Sequence, residues 1–250
     1  MTAAVAEPPG DRGAAIVVGV GSSSGLGASV ARRFAREGLI VGVFGRTADR
    51  LEQVRSEIES AGGKAVALAG DATSPQDIER AFAAMATRGP LKVAVFNAGG
   101  NRPRAFLETD PAFFEEMWRV CCFAGHLFAL EAAKLMLPGG GTVLFTGASA
   151  SLRGRAGFVA FAAAKAGLRA VAQSMARAFG PQGLHVGHIV IDGGIDGERI
   201  HRALPQLKAE RGEDGLLGLE AIAESYWQLH VQHRSAWSHE IDLRPFREAF

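Results

Sequence analysis

Apolar runs and amphipathic stretches alternate along most of the chain. The apolar runs are Ala14–Val20, Leu39–Phe44, Lys64–Ala69, Lys92–Phe96, Thr142–Thr146 and His185–Ile191. Short runs of this kind predict buried strands. Helical patterns lie between them. Ala28–Glu37 is the first, and Asp49–Ala61 carries Leu51, Val54 and Ile58 at i, i+3 and i+7. A third opens at Ser74-Pro75, where Ser offers a cap and Pro suits the first helical position, and runs to about Thr87. Pro111–Leu137 and the Ala-rich Phe158–Phe179 are longer. Gly62-Gly63, Pro138-Gly139-Gly140-Gly141 and Gly180-Pro181 stop the helices they follow. A βαβαβα order predicts a parallel sheet with helices on both faces and right-handed crossovers.

The rhythm changes after Gly193-Gly194. Glu198–Glu210 is a charged helical stretch, Leu219–Val231 another helix, and Ile241–Leu243 a last short strand. Segments placed here lie beyond the carboxyl ends of the strands, where such folds bind ligands. Residues 197–232 are therefore expected to form a substrate lid. Residues 14–250 read as one domain without linker or repeat, and 1–13 as a disordered tail, since Met1–Arg12 lacks the apolar core of a signal peptide.

Composition narrows the class. The 250 residues are 48% hydrophobic and 21% charged, as in a globular protein with a large core. A net charge of +1 gives no broad case for nucleic acid or an anionic membrane. Cys121 and Cys122 are adjacent, so no disulfide framework is expected, which suits a cytoplasmic protein. No apolar run reaches the ~18 residues of a membrane-spanning helix. No His, Cys or Asp cluster has metal-ligand spacing.

The chemistry starts at Gly21-Ser22-Ser23-Ser24-Gly25-Leu26-Gly27, between the first strand and the first helix. Glycines let a backbone turn tightly and approach a pyrophosphate, and the helix N-terminus offers free N–H groups and a positive dipole end. The same turn also joins strand to helix where no nucleotide binds. Arg46-Thr47 ends the second strand, where dinucleotide folds meet the adenosine ribose. An acid there accepts from a 2′-hydroxyl, whereas an Arg suits a 2′-phosphate, which favours NADP(H) over NAD. Asp71-Ala72 and Asn97-Ala98-Gly99 follow the third and fourth strands, positions that suit a ligand crevice and ordinary turns alike.

With these residues in view, the chain resembles the short-chain dehydrogenase/reductase family over about Ala14–Gly194. The resemblance rests on Gly21-x-x-x-Gly25-x-Gly27, Asp71, Asn97-Ala98-Gly99, the Ala-rich helix with Lys165, and Gly193-Gly194-Ile195. It implies a Rossmann-type, doubly wound α/β sheet of about seven strands, a nicotinamide cofactor, a small-molecule substrate and a homodimer or homotetramer. It also implies that Gly21, Ser22, Ser23, Gly25, Leu26 and Gly27 hold the pyrophosphate. Arg46 would face the 2′-phosphate, Asp71 and Ala72 the adenine, Asn97, Ala98 and Gly99 the ribose, and Ile195 the carboxamide.

The catalytic positions depart from the family. Its Tyr-x-x-x-Lys is here Phe161-Ala162-Ala163-Ala164-Lys165, its Ser falls on Ala148 with Ser149 next to it, and its helix Asn falls on Cys121. Phe161 has no ionisable hydrogen to give to an alkoxide, and a positioned general acid contributes ~10²–10⁴-fold. Lys165 can still donate to ribose hydroxyls, and Ser149 to a substrate oxygen. Cys121, His126 and His188 read as core residues. Tyr226, the single tyrosine, could reach the site only from the lid. Ala148, Phe161 and Cys121 hint at an apolar substrate. Two functions follow: an NADP(H)-dependent oxidoreductase with a non-standard active site, or an NADP(H)-binding protein that is not a redox enzyme.

Overall fold

The computed structural model describes residues 13–248. The expected tail, but for Gly13, and the last two residues lie outside the described residues. Seven parallel strands form one sheet in the order β3-β2-β1-β4-β5-β6-β7. They are β1 (Ala14–Val18), β2 (Ile40–Gly45), β3 (Lys64–Ala69), β4 (Leu91–Phe96), β5 (Gly141–Thr146), β6 (Leu184–Ile191) and β7 (Glu240–Leu243). The order runs outward from β1 to β3, then restarts at β4 on the other side of β1. The β1/β4 boundary is thus the switch point at which this architecture opens a crevice.

Strand side chains alternate between two apolar layers, as a period of two requires. Ala15 and Val17 of β1 join Val41, Val43, Val93, Val95 and Leu144 on one face. That face is covered by α1 (Leu26–Arg36), α2 (Ala48–Ser60) and α9 (Leu219–His230). Ile16, Val18, Ala94, Phe96, Val143 and Phe145 face the other way, under α3 (Pro75–Ala86), α5 (Ala124–Met136) and α6 (Val159–Phe179). Phe128 stands at the centre of the second layer, with ring centroids 5.6 Å from Phe82, 5.5 Å from Phe96 and 5.6 Å from Phe145.

Three helical expectations are corrected. The run expected unbroken over Pro111–Leu137 is α4 (Pro111–Trp118) and α5 joined by a π turn over Arg119–Phe123. The extra residue of a π turn shifts the helix register, and here both Cys121 and Cys122 are buried. The stretch Glu198–Glu210 is split into α7 (Glu198–Ala203) and α8 (Leu207–Arg211). Pro205 causes the break, because it forces Leu204 out of helical conformation (φ −141°, ψ 69°). The third concerns the lid. Residues 197–232 divide: α7 and α8 are largely exposed beside the crevice, whereas α9 is core, with Ile222, Ala223, Tyr226 and Leu229 buried against α1. Arg33–Glu224 (2.6 Å) and Arg36–Glu220 (2.8 Å) rim that contact.

Candidate functional site

A crevice of about 1100 Å³ runs along the carboxyl ends of the strands. Its central wall is the turn after β1. Gly19 sits at φ +98°, and a Cβ there would lie 2.3 Å from the amide nitrogen of Ala98, so only glycine lets the β1 and β4 ends approach. Gly27 is equally constrained, since its Cβ would meet the Gly19 carbonyl at 2.8 Å and Asn97 Nδ2 at 3.0 Å. Asn97 Nδ2 donates to the Gly19 carbonyl over 3.0 Å and ties β4 to the turn. Gly19 is a residue that the pattern reading missed, because it sits inside an apolar run; a glycine interrupting a buried strand was the available signal.

The first turn of α1 is bare. Its N-cap, Gly25, has no side chain to accept from the first amides, and no acid stands in the first turn. Those N–H groups and the dipole end are left for an anion. Gly21, Ser22, Gly25, Leu26 and Gly27 line the crevice. Ser23 does not, and this corrects its expected place. Its hydroxyl donates to the Glu57 carboxylate, and Arg32 holds its carbonyl at 3.0 Å. Ser24 lines the crevice instead.

Arg46 and Thr47 line the crevice after β2. Arg46 is exposed, and among the described residues no carboxylate pairs with it. Thr47 caps α2 without a side-chain hydrogen bond. Asp71 and Ala72 line the crevice after β3, where Asp71 accepts from the amide and hydroxyl of Thr73 (2.8 and 2.9 Å). Asn97, Ala98 and Gly99 line it after β4, and Ile195, bridged to Leu217, lines it beyond β6.

Lys165, on α6, is buried, and its Nζ donates to the Thr146 carbonyl over 2.7 Å. A Cβ on Gly99 would lie 3.4 Å from Lys165 Nζ and 3.6 Å from Cys121 Sγ, so the amine and the thiol converge at the end of β4. Burial pushes the Lys165 amine below its ordinary range; Cys121 opposes this and the charge of Arg199 adds to it. The Phe161 ring centroid lies 5.9 Å from Nζ. Phe161 packs with Cys121, Ala160 and Ala164 in a small apolar cluster of its own. Ser149 opens a 3₁₀ turn (Ser149–Ser151) on the crevice wall, and its hydroxyl has no protein partner among the described residues.

Tyr226 is not at the site. It is fully buried in the opposite apolar layer, where its hydroxyl shares a 2.7 Å hydrogen bond with Thr146 Oγ1. Burial raises the phenol far above its ordinary value, so it holds its proton. The idea of a tyrosine swinging in from a lid is overturned, because α9 carries that side chain into the core. Residues that the pattern reading missed also face the crevice: Thr146, Arg119, Arg155, Glu198 and Arg199. Only Thr146 lies in a patterned element that points there; the arginines stand in a loop, a π turn and a short helix, where periodicity carries no signal.

Fold and crevice together define a doubly wound, Rossmann-type α/β protein. The family model for short chain dehydrogenases matches residues 15–203, and the chain belongs to that family. A short-chain dehydrogenase from Rhodopseudomonas palustris, known as a crystal structure, is 39% identical, with a TM-score of 0.81 over 94% of this chain and 99% of that one. A 3beta-hydroxysteroid dehydrogenase of Mediterraneibacter gnavus is 28% identical over 213 residues, 83% of this chain and 75% of that protein. An uncharacterised oxidoreductase of Mycobacterium tuberculosis is 32% identical over 132 residues, 52% of this chain and 50% of its own length. The aligned part thus spans about half of that relative. In the described residues no helix is long and apolar enough to cross a membrane.

Proposed function

We propose that the chain is an NADP(H)-dependent oxidoreductase of small molecules whose reaction centre works without a tyrosine hydroxyl. One observation carries the reading: Arg46, without a carboxylate partner among the described residues, stands in the same crevice as the bare N-terminus of α1. The residues present fit a dinucleotide phosphate. A Cβ on Gly21 would meet nothing within 4 Å, so backbone faces open crevice there. Gly21, Ser22, Gly25, Leu26 and Gly27 would hold the pyrophosphate, and Arg46 with Thr47 the 2′-phosphate. Asp71 and Ala72 would flank the adenine, Asn97, Ala98 and Gly99 the ribose, and Ile195 the carboxamide. When bound, the nicotinamide supplies or takes up a hydride.

The chain's own groups then bind and move a proton. Lys165 has three N–H donors, one of which goes to the Thr146 carbonyl. The other two are left for ribose hydroxyls or for an oxygen gaining negative charge. An ammonium with a lowered pKa is a stronger acid, so Lys165 can itself give the proton that Phe161 cannot. Ser149 adds a hydroxyl donor on the same wall, where its turn packs against α6.

The test is calorimetric titration of NADPH and NADH into the wild type and Arg46→Ala, followed by hydride transfer across carbonyls, imines and alcohols. We expect micromolar NADPH binding that weakens in the variant, with turnover of part of the panel. Binding of neither nucleotide would end the reading. The second reading, an NADP(H)-binding protein without redox chemistry, is favoured by the apolar packing of Phe161 against Cys121 and Ala164; NADPH binding without any hydride transfer would select it. A cytoplasmic homodimer or homotetramer completes the proposal, with Phe114, Trp118, Leu130 and Leu135 exposed on α4 and α5 as the face to cover.

A further inference from the structure

The crevice has a second cluster of cations, remote from Arg46. Arg119, on the π turn, and Arg155, between the Ser149 turn and α6, both line the crevice with Phe161 and Lys165. Arg199, on α7, reaches over from the other side, with its guanidinium 3.4 Å from the Gly99 carbonyl. None of the three has a carboxylate partner among the described residues. Arg119 lies over the Phe123 ring, 5.0 Å from its centroid, which orients the group without neutralising it. The acids nearby are already engaged: Glu116 pairs with Arg102 (2.7 Å), and both oxygens of the buried Asp192 accept from Arg153 at 3.3 Å.

These cations do not serve the dinucleotide's 2′-phosphate. Arg46 follows β2, whereas Arg155 follows β5, on the far side of the switch point. Three strand spacings, about 14 Å, separate the two strand ends. The lining that Arg119, Arg155 and Arg199 share includes the apolar Val120, Ala148 and Phe161 beside the polar Ser149 and Thr146. A partly apolar lining with arginines that lack a carboxylate partner among the described residues suits a ligand with an apolar body and a single negative charge. A planar guanidinium meets a carboxylate in a two-pronged arrangement.

We infer that the reaction end of the crevice takes a carboxylate-bearing carbonyl compound, gripped by Arg119 and Arg155 and closed over by Arg199. The inference rests on the reading that the opposite end takes the dinucleotide. It keeps the apolar body suggested by Ala148, Phe161 and Cys121 and adds the charge that the pattern of the sequence did not reveal.

The experiment is calorimetric titration of benzoylformate and levulinate, each beside its methyl ester, into the full chain saturated with NADPH and into the chain alone. The proteins are the wild type, Arg119→Gln/Arg155→Gln and Arg46→Ala. The expected result is binding of at least one acid at least tenfold tighter than its ester. That preference should vanish in the double variant and persist in Arg46→Ala. Esters binding as well as acids, no acid binding, acids displaced by NADPH, or a preference that survives the double substitution would each overturn it. NADPH titration of the same samples keeps the two ideas apart. An intact acid preference without NADPH binding sinks the cofactor reading alone, and NADPH binding without the preference sinks this inference alone.

Discussion

The two ends of the crevice are built differently. At the β1–β2 end the backbone does the work: a glycine turn, a bare helix start and tight approaches at Gly19 and Gly27 leave little room for other residues. Side chains form the β4–β5 end. There Lys165, Ser149 and Phe161 line the wall, with Cys121 buried behind Phe161. A site made of backbone keeps its chemistry as long as the fold survives. One made of side chains can change its reaction by single substitutions while the fold stays whole. The chain joins the first kind of end, with its glycine turn and open helix start, to a second kind lined by Phe161, a side chain without an ionisable hydrogen.

The hardest test of this contrast falls on Lys165. If the buried amine is the acid, Lys165→Met should lower kcat for carbonyl reduction by ~10²–10⁴-fold, measured by NADPH consumption. The pH profile adds a sign. A donor must be protonated to act, so the reduction rate is lost as pH rises through the lysine's pKa. Burial has lowered that pKa, so the alkaline limb should fall below the ordinary lysine value of 10.5. The limb should be absent from the residual activity of the Met variant. A limb that survives would assign the proton to another group.

Arg46→Ala breaks the other end, and more gently. Loss of one exposed charged contact to a phosphate should weaken NADPH by roughly ten- to a hundredfold and leave NADH almost unchanged. Equal losses for both nucleotides would mean that Arg46 supports the fold of the crevice and does not read the 2′-phosphate.

A smaller effect is expected at Glu198, the first residue of α7, which is half-buried over the glycine turn. Its amide donates to the Ser24 carbonyl (3.2 Å) and its carboxylate pairs with Arg50 (3.4 Å) and Arg202. A hydrogen bond from the Ser22 hydroxyl, with these arginines, holds its pKa below the usual carboxylate range, so it is ionised at neutral pH. An anion there opposes a phosphate at the same turn. Glu198→Gln should tighten NADPH a few-fold, the scale of one partly screened charge pair. Weaker binding would instead make Glu198 a support for α7.

How much of this was legible from sequence follows the same division. The strands were readable because buried parallel strands print as apolar runs, and the glycine turn because backbone approach demands glycine. The π turn at Arg119–Phe123 was not: it differs from an α-helix by one residue of register, and an apolar stretch such as Val120-Cys121-Cys122-Phe123 accommodates either. Ser23 was misplaced because three consecutive serines give no hint of which one Glu57 and Arg32 capture. The arginines around the reaction end come from three separate elements, so they meet only in three dimensions. The lid was drawn too wide for a related reason. The amphipathic pattern of α9 marks a buried face but does not say what buries it.

Tyr226 provides the finest test, since it asks whether the one phenol of the chain has a chemical role or a structural one. Its hydroxyl shares a single hydrogen bond with Thr146 Oγ1 inside the core, and the carbonyl of the same Thr146 accepts from Lys165. Tyr226→Phe keeps the ring and its packing and removes only the hydroxyl. The cost is one buried neutral hydrogen bond, about 1 kcal/mol, or a fall in Tm of about 2–4 °C for a chain of this size. Turnover should stay within about twofold, because the pair lies behind the wall on which Lys165 acts and Thr146 keeps its carbonyl. A drop in kcat approaching that of Lys165→Met, without a matching loss in Tm, would show that the Thr146–Tyr226 pair sets the position of the amine. The side-chain end of the crevice would then reach through β5 into the opposite apolar layer.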